Sequence, residues 1–251
     1  MKYLFTRQNL ETLEQVAWSR TLLAFDFDGT LAPIVHNRET ARMRAATRPL
    51  FEEACRLFPT AVVSGRSAAD VAARLGAAKV RFIVGNHGLE TGAPRPRSRA
   101  GLQPARELLE RLVRTTPGLD LEDKQLSLTV HYRRSRRKRS AEQTVRAAVG
   151  RLRIPMRIIP GKCVLNIVPL AAPTKGDAVL SLRRRLRLDT AIYVGDDVTD
   201  EDVFLIDQPG RLLTVRVGNS RRSAAHLFIR TQREIDGMLR ALIHARRRGM
   251  R

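Results

Sequence analysis

Two aspartates separated by one residue, Asp26 and Asp28, end the apolar run Leu22-Leu23-Ala24-Phe25, with Gly29 and Thr30 just behind them. Carboxylates that close repel each other, and a hard, oxygen-liganded cation such as Mg²⁺ relieves the conflict where no His or Cys lies nearby. Asp and Gly are also common turn residues, so a plain surface turn is the competing account. A second acidic cluster has the same setting: Ala191-Ile192-Tyr193-Val194 runs into Gly195-Asp196-Asp197, with Asp200, Glu201 and Asp202 close behind. Thr199 could cap the helix that follows, with the last three acids complementing its dipole. That leaves Asp196 and Asp197 at a strand end without a local reason. Ser64 and Arg66 flank Gly65 after the apolar run Thr60–Val63, and Ser67 opens the next helix. A hydroxyl, free amides and a helix start make a phosphate seat, although an ordinary capped turn has the same sequence. Lys175 stands at a helix start, which is unfavourable unless an anion or carboxylate faces it. Asn86 and His87, between Gly85 and Gly88, could bond a sugar or satisfy their own loop.

The elements that must hold these groups read as alternating strands and helices. Short apolar runs bounded by turn signals are strands of a parallel sheet covered on both faces, and ligands gather at the carboxyl ends of such strands. On a strand Asp26 and Asp28 would leave by the same face. Residues 7–18 have helical spacing, with Trp18 assigned to the core. Residues 38–58 read as a helix with Met43, Ala46, Leu50, Ala54 and Leu57 inward, kinked or divided at Pro49. A third strand covers 80–84. The Pro/Arg-rich stretch 91–98 marks a domain boundary. Beyond it, residues 104–115 are helical, and 126–132 alternate as in a half-exposed sheet. A basic helix covers 137–150. Strands at 156–159 and 163–168 are joined by a tight turn at Pro160-Gly161. After residue 172 come a helix to about 186, strands at 191–194, 212–217 and near 225–229, and a helix at 231–246. His226 and His244 read as structural or surface residues.

Composition narrows the class. The chain has 251 residues, two cysteines and a formal net charge of +21. No apolar run reaches eighteen residues, and the N-terminal residues lack a signal-peptide pattern, so a cytoplasmic protein without a membrane span is expected. Cys55 and Cys163 are too few for a disulfide framework and read as small apolar fillers. The charge suits nucleic acid, an anionic surface or small anionic substrates alike. The dense runs Arg133–Arg139 and Ala245–Arg251 favour a solvated face. DNA or RNA binding is the sharper alternative, weakened because aromatics do not interleave with the arginines.

The stretches DFDGTL, VVSGR, TKGD and YVGDDVTDEDVF, in that order, resemble the haloacid dehalogenase-like phosphatase superfamily. GNHGLE and EDKQLSLTVHYR extend the likeness to the trehalose-6-phosphate phosphatases. The resemblance implies an α/β fold with a Rossmann-like core of residues 1–93 and 173–251, and an α+β cap of residues 94–172 acting as a lid. It implies a nucleophile in Asp26, a proton donor and acceptor in Asp28, and phosphoryl contacts from Ser64 and Lys175. Mg²⁺ would be held by Asp26, the Asp28 carbonyl and Asp196, with Asp197 and Asp200 behind them. Substrate contacts would come from Arg66, Asn86, His87, Gly88, Glu122, Lys124, His131, Arg133, Lys162 and Asn166. The implied activity is hydrolysis of trehalose 6-phosphate by a monomer, with another sugar phosphate as the alternative. Where the family has a Glu-x-Arg-Pro pattern, this chain has Asn166-Ile167-Val168-Pro169. A neutral amide there accepts fewer and weaker bonds than a carboxylate.

Overall fold

A computed structural model describes residues 1–90, 102–161 and 163–249. The chain divides into two compact units, Met1–Thr91 with Pro173–Arg251, and Gly92–Ala172.

The first unit is built on a seven-stranded sheet whose paired neighbours are all parallel. Its strands are β1 (Lys2–Tyr3), β2 (Thr21–Phe25), β3 (Thr60–Val63), β4 (Phe82–Val84), β9 (Thr190–Gly195), β10 (Leu212–Val217) and β11 (Leu227–Ile229), in the spatial order β1-β11-β10-β9-β2-β3-β4. Strand β2 is buried throughout and apolar from Leu22 to Phe25 because both its faces are covered. Leu23 and Phe25 join one core with Leu13 and Ala17 of α1 (Arg7–Trp18), Phe51 and Ala54 of α2 (Thr47–Leu57), Val71 and Leu75 of α3 (Ala68–Leu75), and the apolar face of α8 (Ile235–Gly249). Leu22 and Ala24 join the opposite core with Ala178, Val179 and Leu182 of α6 (Lys175–Arg185) and Phe204 of α7 (Glu201–Phe204). Each buried Leu or Phe contributes roughly 1.5–3 kcal/mol, which makes a slip in register costly.

Several elements differ from the sequence expectation. The 38–58 helix divides into a 3₁₀ turn, Arg38–Thr40, and α2; Pro49 falls in the first turn of α2, where its missing N–H costs nothing. The fully buried positions of α2 are Thr47, Phe51 and Ala54; of the expected inner residues Met43 and Ala54 are buried, Leu50 and Leu57 pack partly buried against the same core, and Ala46 is exposed. Trp18 is 50% exposed instead of core, because Leu13 and Ala17 take the inward positions of α1. Its indole donates to the Ala245 carbonyl at 3.1 Å. His226 is structural, 2.6 Å from the Thr214 hydroxyl, and His244 is exposed. Cys55 and Cys163 are free thiols, each partly buried against an apolar cluster.

The second unit holds an antiparallel sheet, β5 (Asp120–Asp123), β6 (Leu128–His131), β7 (Met156–Gly161) and β8 (Val164–Pro169), in the order β5-β6-β8-β7. Leu128, Val130, Leu165 and Ile167 point to α4 (Gln103–Thr115) and α5 (Lys138–Gly150), forming that unit's core. Pro160 and Gly161 belong to β7 and pair with Leu165 and Val164, so the hairpin turn comes later than expected. The polar side of β6 is not half exposed: Ser127 and Thr129 are buried. The stretch 91–98 and Lys162 lie outside the described residues. Among the described residues no helix is long and apolar enough to cross a membrane.

Candidate active site

Register brings the acidic strand ends together. Phe25 pairs with Val62 on β3 and with Val194 on β9, so the three strands finish side by side. The Asp26 amide donates to the Val194 carbonyl at 2.8 Å. Strand β2 stops at Phe25, and Asp26 and Asp28 therefore sit in the turn beyond it instead of sharing a strand face. That turn is closed by a bridge between Asp28 and Ala32 and by Gly29 at φ +86°. Any Cβ at Gly29 would overlap the Asp196 carboxylate, so glycine is what lets the first acidic turn approach the second.

Asp26, 5% exposed, accepts from the Lys175 ammonium at 2.9 Å. Lys175 donates also to Asp200 Oδ1 at 2.7 Å, and so finds the carboxylate partners that its place at the start of α6 demands. Thr174 and Asp177 cap that helix reciprocally, which gives the rest of the TKGD stretch a structural purpose. Burial alone would pull the Lys175 ammonium down, but Asp200 and Asp26 outweigh it and hold it well above its ordinary value.

Asp200 is fully occupied. Its Oδ1 accepts from Lys175 and from the Tyr193 hydroxyl at 2.6 Å, and its Oδ2 accepts from the amides of Asp196 and Asp197 at 2.8 and 2.9 Å. Burial pushes its carboxyl up, yet these donors prevail and keep it below the usual range. Asp200 thus ties β9, α6 and the following turn together. Asp197, not Thr199, caps that turn, with its side chain accepting from the Val198 amide at 2.7 Å.

Asp26 and Asp196 behave differently. Burial first, then the opposing pull of Lys175 and repulsion from Asp200 and Asp28, leaves Asp26 raised to about 7. Burial and repulsion from Asp26, Asp200 and Asp197 raise Asp196 to about 8. Ligand oxygens of Asp26, Asp196 and Asp200 lie within 4.8 Å of one another. With Asp200 saturated, the buried Asp26 and the half-buried Asp196 are carboxyls whose raised values favour holding protons near neutrality, a cost that a cation would relieve. This donor set, all oxygen, fits a hard divalent ion.

The remaining expected residues divide. Ser64 is buried at the end of β3, where its Oγ accepts from the Arg66 amide at 3.2 Å. The Arg66 guanidinium makes a bidentate pair with Asp28, at 2.5 and 2.8 Å, and its side chain is 5% exposed. Asn86, 1% exposed, donates through Nδ2 to Glu90, whose other oxygen accepts from the first amide of α3, while its own Oδ1 is buried without a hydrogen-bond partner among the described residues. The His87 ring lies over Gly65. Gly88, at φ +109°, allows the loop to touch the Thr174 carbonyl, where a Cβ would overlap it.

In the second unit Glu122 and His131 pair at 2.9 Å, and the Asn166 side-chain oxygen accepts from Thr129 at 2.7 Å. Register puts Glu122, Thr129, Asn166 and His131 on one face of the sheet, the one turned away from its helices. Lys124 is half-buried and Arg133 exposed. Sequence reasoning missed Tyr193. A hydroxyl in the fully buried interior of a strand must find a partner, and that was its available signal.

Comparison with known proteins agrees with this architecture. The sequence profile of the family described as trehalose-phosphatase matches residues 24–220. Probable trehalose-phosphate phosphatase 4 of Oryza sativa subsp. japonica is 32% identical over 205 residues, covering 74% of this chain and 55% of that protein. The trehalose-phosphate phosphatase of Mycobacterium tuberculosis (strain ATCC 25618 / H37Rv) is 32% identical over 221 residues, covering 81% and 56%. The chain thus spans little more than half the length of these relatives. The C-terminal domain of the C. albicans trehalose-6-phosphate phosphatase has the same fold, with a TM-score of 0.76 at 21% identity over 94% of this chain and 97% of that one. With its two acidic strand ends, the lysine between them and a profile match over most of its length, the chain belongs to the trehalose-phosphatase family.

Proposed function

We propose that this chain is a phosphatase that hydrolyses trehalose 6-phosphate to trehalose and inorganic phosphate, dependent on Mg²⁺ and proceeding through an aspartyl phosphate on Asp26. The observation that carries the reading is the buried Asp26 carboxylate, held by Lys175 at 2.9 Å and grouped with Asp196. A carboxylate oxygen of Asp26 attacks phosphorus while the bond to the sugar oxygen breaks, and Asp28 gives that oxygen its proton. Water then attacks the phosphorus of the aspartyl phosphate, its proton passes to Asp28, and Asp26 leaves as the carboxylate. Lys175 and the Ser64 hydroxyl balance charge on the phosphoryl oxygens. Magnesium held by Asp26, the Asp28 carbonyl and Asp196 would supply Lewis-acid stabilisation of that charge. Asp197 sits beside this set as the cap of its turn, and Asp200 fixes Lys175 and the two neighbouring amides.

Sugar recognition is assigned to the polar sheet face of the second unit, through Glu122, Lys124, His131, Arg133 and Asn166, with Lys162 outside the described residues. The Glu122–His131 pair offers both charge and donors to hydroxyl groups. Asn166, engaged with Thr129, favours a second reading in which the substrate is a different sugar phosphate. Release of inorganic phosphate from trehalose 6-phosphate and a panel of mono- and disaccharide phosphates, with Mg²⁺ and with EDTA, tests both. Preference for another sugar would select the second reading, and turnover undiminished in EDTA would remove the metal.

A further inference from the structure

Arg66 has the chemistry of a phosphate ligand but not the freedom of one. Its Nε donates to Asp28 Oδ2 at 2.5 Å and its Nη2 to Asp28 Oδ1 at 2.8 Å. Nη2 also reaches the Arg38 carbonyl at 2.7 Å, and Nη1 reaches Asp70 Oδ2 at 2.7 Å. Arg74 braces Asp70 from the far side at 3.0 Å and donates to the Glu39 and Ala41 carbonyls. The guanidinium is therefore fixed by four bonds while the Asp28 side chain, 39% exposed, depends on Arg66 for its own two. A short side chain in a turn, otherwise free to change rotamer, is held in one direction by a planar fork that only arginine provides.

We infer that Arg66 is a positioning residue for Asp28: framed by Asp70 and the Arg38 carbonyl, it orients the carboxyl that protonates the departing sugar oxygen and does not itself contact the phosphate. The inference rests on the reading of Asp28 as proton donor. In the step concerned, the phosphorus–oxygen bond to the sugar breaks, its electron pair stays on the sugar oxygen, and that oxygen takes the proton from Asp28. An aryl phosphate with a stable phenolate leaves without that proton.

The test is single-turnover cleavage, enzyme in excess and Mg²⁺ fixed, of an alkyl phosphate (trehalose 6-phosphate, or whichever sugar phosphate the enzyme prefers) and of 4-nitrophenyl phosphate. Arg66→Lys keeps the charge and loses the fork. Its cleavage rate at saturation should fall about ten- to hundredfold on the sugar phosphate and less than threefold on the aryl phosphate, with half-saturation within about threefold for both. Asp70→Asn, which leaves Arg66 in place and loosens its frame, should show the same pattern more weakly and guards against a folding defect in the first variant. Equal losses on both substrates, or a loss confined to half-saturation, would overturn the inference and return Arg66 to phosphate binding. Asp28→Asn separates the two levels: if it shows no dependence on leaving group, the proton-donor reading fails, and if it does while Arg66→Lys and Asp70→Asn do not, only the positioning inference fails.

Discussion

Without metal, the first unit should lose stability as pH rises through neutrality, and Asp196 should account for most of the loss. Its carboxyl is raised from 3.8 to about 8, by burial first and then by the surrounding aspartates. A carboxyl whose folded value exceeds its unfolded value keeps more protons in the native state, so stability is greatest below the unfolded value and falls until the folded value is passed. Between pH 5 and pH 8 the unfolded chain has already ionised Asp196 and the native chain has not. One proton over three pH units amounts to about 4 kcal/mol. Asp26, raised to about 7, adds to this, though less than additively because each carboxylate raises the other. Lys175 and Asp200 stay out of the window, since one is held above its usual value and the other below. The assay is urea unfolding in EDTA at pH 5, 6, 7 and 8, followed by Trp18, the single tryptophan, which belongs to the first unit and whose indole bond to Ala245 breaks on unfolding. The wild-type decline should shrink by about 4 kcal/mol in Asp196→Asn. Adding Mg²⁺ should restore stability strongly at pH 8 and weakly at pH 5, because the cation competes with protons for the same oxygens. A flat wild-type profile, or the same slope in Asp196→Asn, would refute the account of crowded carboxylates that hold protons where a cation would otherwise balance them.

Other consequences are as direct. Asp26→Asn should abolish turnover and aspartyl-phosphate formation while far-ultraviolet circular dichroism stays native; appreciable phosphate release would remove Asp26 as nucleophile. Tyr193→Phe removes one of four donors to Asp200 and should cost about 1–2 kcal/mol, read as a lower urea midpoint. Asn166→Glu should shift the ratio of kcat/KM between disaccharide phosphates by about tenfold, or about 1.4 kcal/mol, and an unchanged ratio would make this position silent.

What could be read from the sequence followed a physical rule. Strand β2 was plain because burial on both faces leaves an unbroken apolar run, and the same held for β3 and β9. Strand β5 was missed because Asp120–Asp123 is short, acidic and at a sheet edge, where packing demands little of its side chains. Phe51 was missed as an inward residue of α2 because Leu50 beside it is equally apolar and also packs against the core, and only the sheet makes Phe51 the more buried of the two.

The site divides along the same line. Lys175 announced a carboxylate partner because a cation at a helix start has no local way to be satisfied, and Asp26 and Asp200 supply what it lacked. The aspartates after β2 and β9 likewise announced each other, since neither cluster could be neutralised within its own turn. The partners of Arg66 were hard to read for the opposite reason. A guanidinium beside a Ser-Gly turn is satisfied equally by a phosphate or by two carboxylates, and the choice depends on Asp28, thirty-eight positions earlier, and Asp70, one turn into the next helix. Asn86 had the same freedom: Glu90, four residues away, takes its Nδ2, and its Oδ1 is left buried without a partner among the described residues. Sequence therefore exposes groups whose needs cannot be met nearby, whereas a group with several possible partners becomes legible only when the fold removes all but one. The aspartates after β2 and β9 belong to the first kind, and Arg66 and Asn86 to the second.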